Sequence, residues 1–102
     1  MSQLPAYAAF AEQVGANFAL ATPAGTLTLT LVSADRHPAP PDFESFTLLF
    51  RGPSSPQLPQ AIYPLQHDTL GAVDLFLVPI QQDAQGLYYE AVFNMLREGG
   101  GA

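Results

Sequence analysis

"TLTLTLVSA" at residues 26–34 contains the clearest strand signal of the chain, because threonine and leucine alternate strictly over its first six residues. Leu27, Leu29 and Leu31 share one face of an extended chain there, and the threonines between them share the other. A period of two with β-branched polar partners is typical of a half-buried strand, with leucine inward and threonine outward. This stretch therefore predicts a sheet that has one covered face.

Further apolar runs lie on both sides of this strand, and turn residues separate them. The predicted strands are residues 17–22, 26–34, 43–51, 60–67, 72–80 and 87–96. The proline-rich stretches at 35–42 and 52–59 are predicted loops, because proline has no amide hydrogen to donate to a neighbouring strand. Pro64, inside the fourth predicted strand, indicates an edge position or a bulge.

The order of these elements predicts the fold class. Because the connections are too short for crossover helices, the strands are expected to pair antiparallel. The sequence predicts an all-β fold with one short N-terminal helix, built as a six-stranded antiparallel barrel or a strongly twisted sandwich. All 102 residues are expected to form a single domain. Helical spacing of apolar residues places the helix at 4–14, and the glycine-rich residues 97–102 are expected to form a loose tail.

Composition narrows the classes of partner. The formal net charge is −6, with nine acidic residues against three arginines and no lysine. Such a balance argues against nucleic-acid binding and against adsorption to an anionic membrane, since both need clustered basic residues. Only 12% of residues are charged, and chains so poor in charge tend to cover surface with a partner. We therefore expect a protein partner or a homo-oligomer, with a cytoplasmic location since no signal peptide is recognised at the start.

Metal and nucleophile chemistry find little support in the sequence. The chain has no cysteine, which excludes disulfides, thiolate metal sites and cysteine nucleophiles. His37 and His67 stand alone without the spacing of a metal site, which needs three or four convergent ligands. No G-x-S-x-G motif and no phosphate-binding glycine loop occurs. No cofactor and no metal site is predicted.

Arg51 is the first candidate site residue, because it ends the apolar run "FTLLFR" at 46–51. Its guanidinium would suit an anionic ligand or a structural ion pair, and the scarcity of basic residues favours the ion pair. Glu90 is the predicted partner. If a four-residue turn closes the last hairpin, Glu90 faces Leu77, among apolar side chains where an isolated carboxylate would be costly. Arg51 and Glu90 are thus predicted as an ion pair, or as ligand-binding residues.

Tyr88 and Tyr89 are the candidate interface residues. Adjacent residues of a strand point to opposite faces, so one of the two tyrosines must leave the main core. The last two predicted strands are also apolar on both faces. Either they are covered on both sides within the domain, or one face meets a partner.

Four segments together resemble a bacterial family of about 100 residues that is catalogued only as a domain of unknown function. They are "FTLLFRGP", "LPQAIYPLQH", "LGAVDLFLVPI" and "YYEAVFN". Weaker matches lie in "FAEQVGANF" and "LTLTL". The resemblance implies a free-standing small domain and brings no catalytic residues.

Two functions remain open from the sequence. The first is a non-enzymatic structural or protein-interaction module, which the low charge and the absence of a catalytic motif favour. The second is a small-molecule-binding barrel or minor enzyme, with a pocket that uses Arg51, Glu90 and a tyrosine. A convergent polar cluster inside a cavity would support the second, and an exposed apolar sheet face would support the first.

Overall fold

The computed structural model of the chain describes residues 7–23 and 25–96, with side chains through Asn94. Its elements are one helix, α1 (Tyr7–Ala11), and six strands. The strands are β1 (Asn17–Thr22), β2 (Gly25–His37), β3 (Phe43–Gly52), β4 (Ala61–His67), β5 (Gly71–Asp83) and β6 (Gly86–Leu96). The predicted start of the helix at 4–6 and the predicted tail at 97–102 lie outside the described residues.

The six strands close into an antiparallel barrel in the order β1-β2-β3-β6-β5-β4. The all-β antiparallel prediction is confirmed, and of its two architectures the barrel is the one formed. Closure depends on a short seam, because β1 meets β4 through only the pairs Ala19–Gln66 and Leu20–Leu65. Pro64 lies inside β4, opposite Asp74 of β5.

Three predicted boundaries need correction. Helix α1 ends at Ala11 and not at residue 14. Strand β2 continues to His37 and pairs with β3 as far as His37–Ser45, so residues 35–37 are strand and not loop. The loop begins at Pro38, where the prolines start. The last hairpin is also tighter than predicted, because Asp83 pairs directly with Gly86 and leaves a two-residue turn.

The barrel interior is filled by alternate side chains of every strand. Its largest fully buried members are Tyr89, Phe10, Phe18, Phe46, Phe50, Leu20, Leu29, Leu31, Leu48, Leu65, Leu75 and Leu77. No polar or charged side chain is buried within the described part of the chain. Alternation along β2 behaves as predicted, with Leu29 and Leu31 fully buried and the neighbouring threonines more exposed.

Each end of the barrel is covered by a different element. Helix α1 covers one end, where the Phe10 ring lies 6.0 Å from that of Phe46 and 5.6 Å from that of Phe93. The loop between β3 and β4 covers the other end, where Leu58 is 8% exposed and its backbone N–H bonds to Tyr89. With both ends closed and the interior filled by apolar side chains, surfaces available for function lie on the outer wall.

Candidate interaction surface

Arg51 lies on the outer wall of the barrel. It pairs with Thr30 of β2 on one side and with Tyr88 of β6 on the other. Phe46, Leu48 and Phe50, its alternate neighbours along β3, point inward and are fully buried. Arg51 therefore lies on the face of β3 opposite to these three buried residues.

Glu90 also faces outward, and the predicted register around it is wrong. It pairs with Val78 and not with Leu77, because the two-residue turn moves the β5–β6 register by two residues and a bulge at Ile80 moves it back by one, a net shift of one residue. A shift of one residue turns the side chain to the opposite face. Glu90 is half-buried between Val78 and Leu49 on the wall, outside the barrel core.

Among the described residues, no ion pair joins Arg51 to Glu90. The salt bridge that is present joins Arg36 Nη2 to Glu44 Oε2 at 4.0 Å. Arg36 lies within β2, in the part of the strand predicted to be a loop. The other carboxylate oxygen of Glu44 accepts the backbone N–H of Tyr7 at 3.0 Å, so this pair also holds helix α1. A ligand-binding role for Arg51 and Glu90 stays a prediction.

The two tyrosines point to opposite faces, as adjacent strand residues must. Tyr89 belongs to the core and is 1% exposed, whereas Tyr88 lies outside the core cluster. Tyr88 is nevertheless only 7% exposed, and its hydroxyl contacts Gln85 Oε1 at 3.4 Å. Neither ring offers much surface to a partner, so their predicted interface role has little support in this geometry and stays a prediction.

The exposed apolar side chains of the sheet lie elsewhere. Ile62 of β4, Phe76 of β5 and Val92 of β6 are 68%, 50% and 59% exposed. Ile62 and Phe76 are directly paired across β4 and β5, and all three side chains line the same surface cavity. We call these three residues the outer apolar patch. Phe76 and Val92 belong to the last two strands, whose apolarity on both faces is visible in the sequence, and Ile62 belongs to β4.

The cavity beneath the outer apolar patch is an open cleft of about 410 Å³ between β5 and β6. Its further lining residues are Asp74, Leu75, Ala91, Phe93 and Asn94. Leu75, Ala91 and Phe93 are buried and form the floor, while Asp74 and Asn94 are exposed at the rim. We call this cavity the β5–β6 cleft.

A second cavity, of about 290 Å³, lies against the proline loop. Arg36, His37, Phe43 and Glu44 line it together with Pro38–Pro41 and Ser45. Among the described residues, Arg36 is the only basic side chain that forms an ion pair, and its partner Glu44 lines the same cavity. Arg51, Glu90 and Tyr88 line neither of these two cavities.

The two histidines serve local structure. His37 Nε2 lies 2.7 Å from Thr47 Oγ1 across the β2–β3 pair. His67 Nδ1 accepts the backbone N–H groups of Thr69 and Leu70 at 2.9 and 3.1 Å, which fixes the turn between β4 and β5. Within the described residues no group of three or more histidine, aspartate or glutamate side chains could hold a metal ion.

Tyr63 carries the one resolved pKa shift in the described part of the chain. Burial raises the pKa of its hydroxyl above the ordinary 10.0, and the nearby Tyr89 raises it further. The hydroxyl donates a hydrogen bond of 2.5 Å to the carbonyl oxygen of Pro59. Tyr63 therefore stays neutral at physiological pH and secures the loop that covers one barrel end.

Comparison with known proteins identifies a family and nothing more specific. No match to the chain was found among curated proteins or among solved structures. The described residues include no helix that has both the length and the apolar character to cross a membrane. The family model described as Domain of unknown function (DUF6916) matches residues 5–93, which is most of the chain. The chain therefore belongs to that family of domains of unknown function.

Proposed function

We propose that this domain is a non-enzymatic protein-interaction module that docks a partner protein through the outer apolar patch. The observation that carries the proposal is the adjacency of Ile62, Phe76 and Val92, each at least half exposed, on one wall of the barrel. Single exposed apolar residues are ordinary, but a contiguous exposed group is typical of an interaction site.

The alternative, a ligand-binding barrel or minor enzyme, has less support. Arg51 and Glu90 face outward from the wall. The buried hydroxyl of Tyr89 already accepts the backbone N–H of Leu58, and no charged side chain is buried among the described residues to orient a ligand. Small-molecule sites combine an apolar cavity with a few convergent polar groups. The polar groups proposed for such a site lie outside both cavities described above.

The low charge of the chain fits an interaction role. Interface centres are depleted in charged residues and enriched in aromatic ones. In the outer apolar patch Phe76 supplies the aromatic side chain, and half of it is exposed and available for burial by a partner. Fully burying a phenylalanine side chain is worth about 1.5–3 kcal/mol.

The test compares an exposed apolar residue of the outer apolar patch with an exposed apolar residue outside it. A partner is purified from the source organism and titrated against the native chain, Phe76→Ser and the control Val14→Ser. The exposed fraction of Val14, 48%, is similar to that of Phe76. Val14 follows helix α1 in the chain and does not belong to the sheet. We expect Phe76→Ser to weaken binding about tenfold or more, since about 1.4 kcal/mol is tenfold in affinity. The control should bind like the native chain.

Equal binding by the native chain and Phe76→Ser would contradict the proposal. Light scattering of the native chain over a range of concentrations shows whether a second copy is the partner. Self-association that Phe76→Ser abolishes would place the same patch between two copies. Self-association that Phe76→Ser leaves unchanged would locate the interface elsewhere.

A further inference from the structure

The ladder between β5 and β6 stops halfway along the two strands. Its pairs run from Asp83–Gly86 to Val78–Glu90, and no pair follows beyond Glu90. Strand β6 nevertheless continues to Leu96, and β5 extends back to Gly71. The two strands therefore run on without pairing to each other, and the β5–β6 cleft lies between them.

Each of the two strands stays extended because its other edge is paired. Strand β5 pairs with β4 from Ala61–Leu77 to His67–Gly71. Strand β6 pairs with β3 from Gly52–Leu87 to Phe43–Leu96. Within the described residues, the edge of β5 at 71–77 and the edge of β6 at 91–96 thus face the cleft without a strand partner.

The two free strand edges that face each other favour one kind of ligand, an extended peptide. Each strand presents alternate N–H and C=O groups in the geometry of a sheet, and such groups require hydrogen-bond partners. An extended peptide that adds to a free edge supplies them, and its side chains confer the specificity. The cleft is therefore better suited to an extended chain than to a helix or a compact ligand.

We propose that the β5–β6 cleft binds an extended segment of a partner protein, which pairs its backbone with the free edges of β5 and β6. This inference rests on the proposed interaction function and names how the partner binds. Side chains of the segment alternate between the two faces of the completed sheet. Those that point outward meet Phe76 and Val92, and those that point inward meet the buried floor of Leu75 and Phe93.

The carboxylate of Asp74 indicates that the partner segment carries a basic residue. Asp74 is exposed at the rim of the cleft, and its carboxylate forms no hydrogen bond or ion pair with any described residue. A lysine or arginine on the segment would pair with it. A second copy of this chain is poorly matched to that position, because the chain carries a net charge of −6 and no lysine. The occupant is therefore a segment with alternating apolar residues and at least one basic residue, from a different protein.

The experiment uses synthetic peptides of about eight residues, a length of about 26 Å at about 3.3 Å per residue. Valine and threonine alternate along each peptide, and one outward position carries arginine, glutamine or glutamate. A fourth peptide repeats the arginine version with alternate backbone nitrogens methylated, which removes the strand hydrogen bonds and keeps the side chains. Affinity is measured by titration, and bound amides are located by hydrogen exchange.

We expect the arginine peptide to bind most tightly and the glutamate peptide least. Asp74→Asn should remove the difference between the arginine and glutamine peptides, whereas the control Asp35→Asn, an exposed acid on β2, should keep it. Backbone methylation should weaken binding about tenfold or more. Alternate amides at 71–77 and at 91–94 should become protected together, because an inserted strand pairs with both edges.

Several results would overturn strand insertion. Binding that backbone methylation leaves unchanged, without amide protection on β5 and β6, would show simple docking on the face. In that case the proposed function is still decided separately, by Phe76→Ser with the purified partner. Failure of every peptide to bind would also reject insertion. Protection of both edges in the free protein would identify another occupant, a second copy if it depends on concentration and residues 97–102 if it does not.

Discussion

The backbone N–H of Leu58 donates a 3.0 Å hydrogen bond to the hydroxyl of Tyr89, at the end of the barrel that the β3–β4 loop covers. Leu58 belongs to the proline-rich loop between β3 and β4, and Tyr89 belongs to the last strand. The bond ties a segment without regular structure to a fully buried core residue. It also explains why a tyrosine, and not a phenylalanine, suits position 89.

Replacing Tyr89 with phenylalanine should therefore destabilise the domain. The ring would still fill its place, but the Leu58 N–H would lose its acceptor in a buried position. Leaving a buried donor unsatisfied costs about 1–3 kcal/mol. Urea unfolding measures the decrease in the free energy of unfolding of Tyr89→Phe. Val14→Ser, a substitution at an exposed position, is the control and should leave this free energy nearly unchanged. Unchanged stability would show that water replaces the hydroxyl and that the loop is not held by this bond.

Gly86 should tolerate no side chain. Its φ is +146°, and a Cβ there would collide with the carbonyl oxygen of Gly52 on the paired strand. Backbone cannot give way as a side chain can, so Gly86→Ala should destabilise the domain by about 1–3 kcal/mol beyond the strain of the conformation itself. Gly25→Ala is the matched control, since Gly25 has φ +129° with open space around its Cβ position. Equal losses in the two variants would contradict the collision.

Much of the fold follows from alternation alone. The threonine–leucine pattern within 26–34 predicts the correct buried face. The turn residues divide the chain into six predicted strands, and the structure has a strand at each of these places. Boundaries were harder, because residues 35–37 carry polar side chains that a strand accepts once β3 pairs with them. Strand propensity describes a residue in isolation, whereas pairing with a neighbouring strand can hold residues of low propensity in an extended conformation.

The candidate site was less predictable, for a specific reason. A bulge at Ile80 changes which face every later residue of β5 presents to β6, and the sequence carries no clear sign of it. The two-residue turn alone would pair Glu90 with Pro79, and the bulge moves its partner to Val78. Strand order is equally hidden, since the proximity of β3 to β6 depends on barrel closure. The two-sided apolarity of the last strands was visible, but its exposed members were not.

Tyr63 should make stability depend on pH in the alkaline range. Burial raises the pKa of its hydroxyl above 10.0 in the folded state, so the folded protein holds this proton more tightly than the unfolded chain does. The stabilisation is fully present below pH 10.0 and is lost as the pH rises through the folded pKa. Urea unfolding at several alkaline pH values should show a steeper decline for the native chain than for Tyr63→Phe. Parallel curves would show that Tyr63 titrates alike in both states.

The Arg36–Glu44 pair should show measurable but small coupling. The Arg36 side chain is 52% exposed and the Glu44 side chain 13%, with 4.0 Å between the charged atoms. Exposed pairs contribute about 0–1 kcal/mol, and this one lies near that range because one partner is solvated. A double-mutant cycle with Arg36→Met and Glu44→Gln isolates the pair, since glutamine retains an oxygen for the Tyr7 N–H. Coupling well above that range would indicate a stronger role for Arg36 in holding α1.

Arg51 and Glu90 should behave independently in the same kind of cycle. The register places Arg51 opposite Tyr88, and Glu90 opposite Leu49, so the two are diagonal neighbours on the outer wall with no ion pair between them. Effects of Arg51→Met and Glu90→Gln on the free energy of unfolding should therefore add to within about 0.5 kcal/mol. Each single variant should be mild, because neither charge lies in the core. Coupling larger than that of Arg36 with Glu44 would mean that the side chains meet in solution, and would restore the ion pair predicted from sequence.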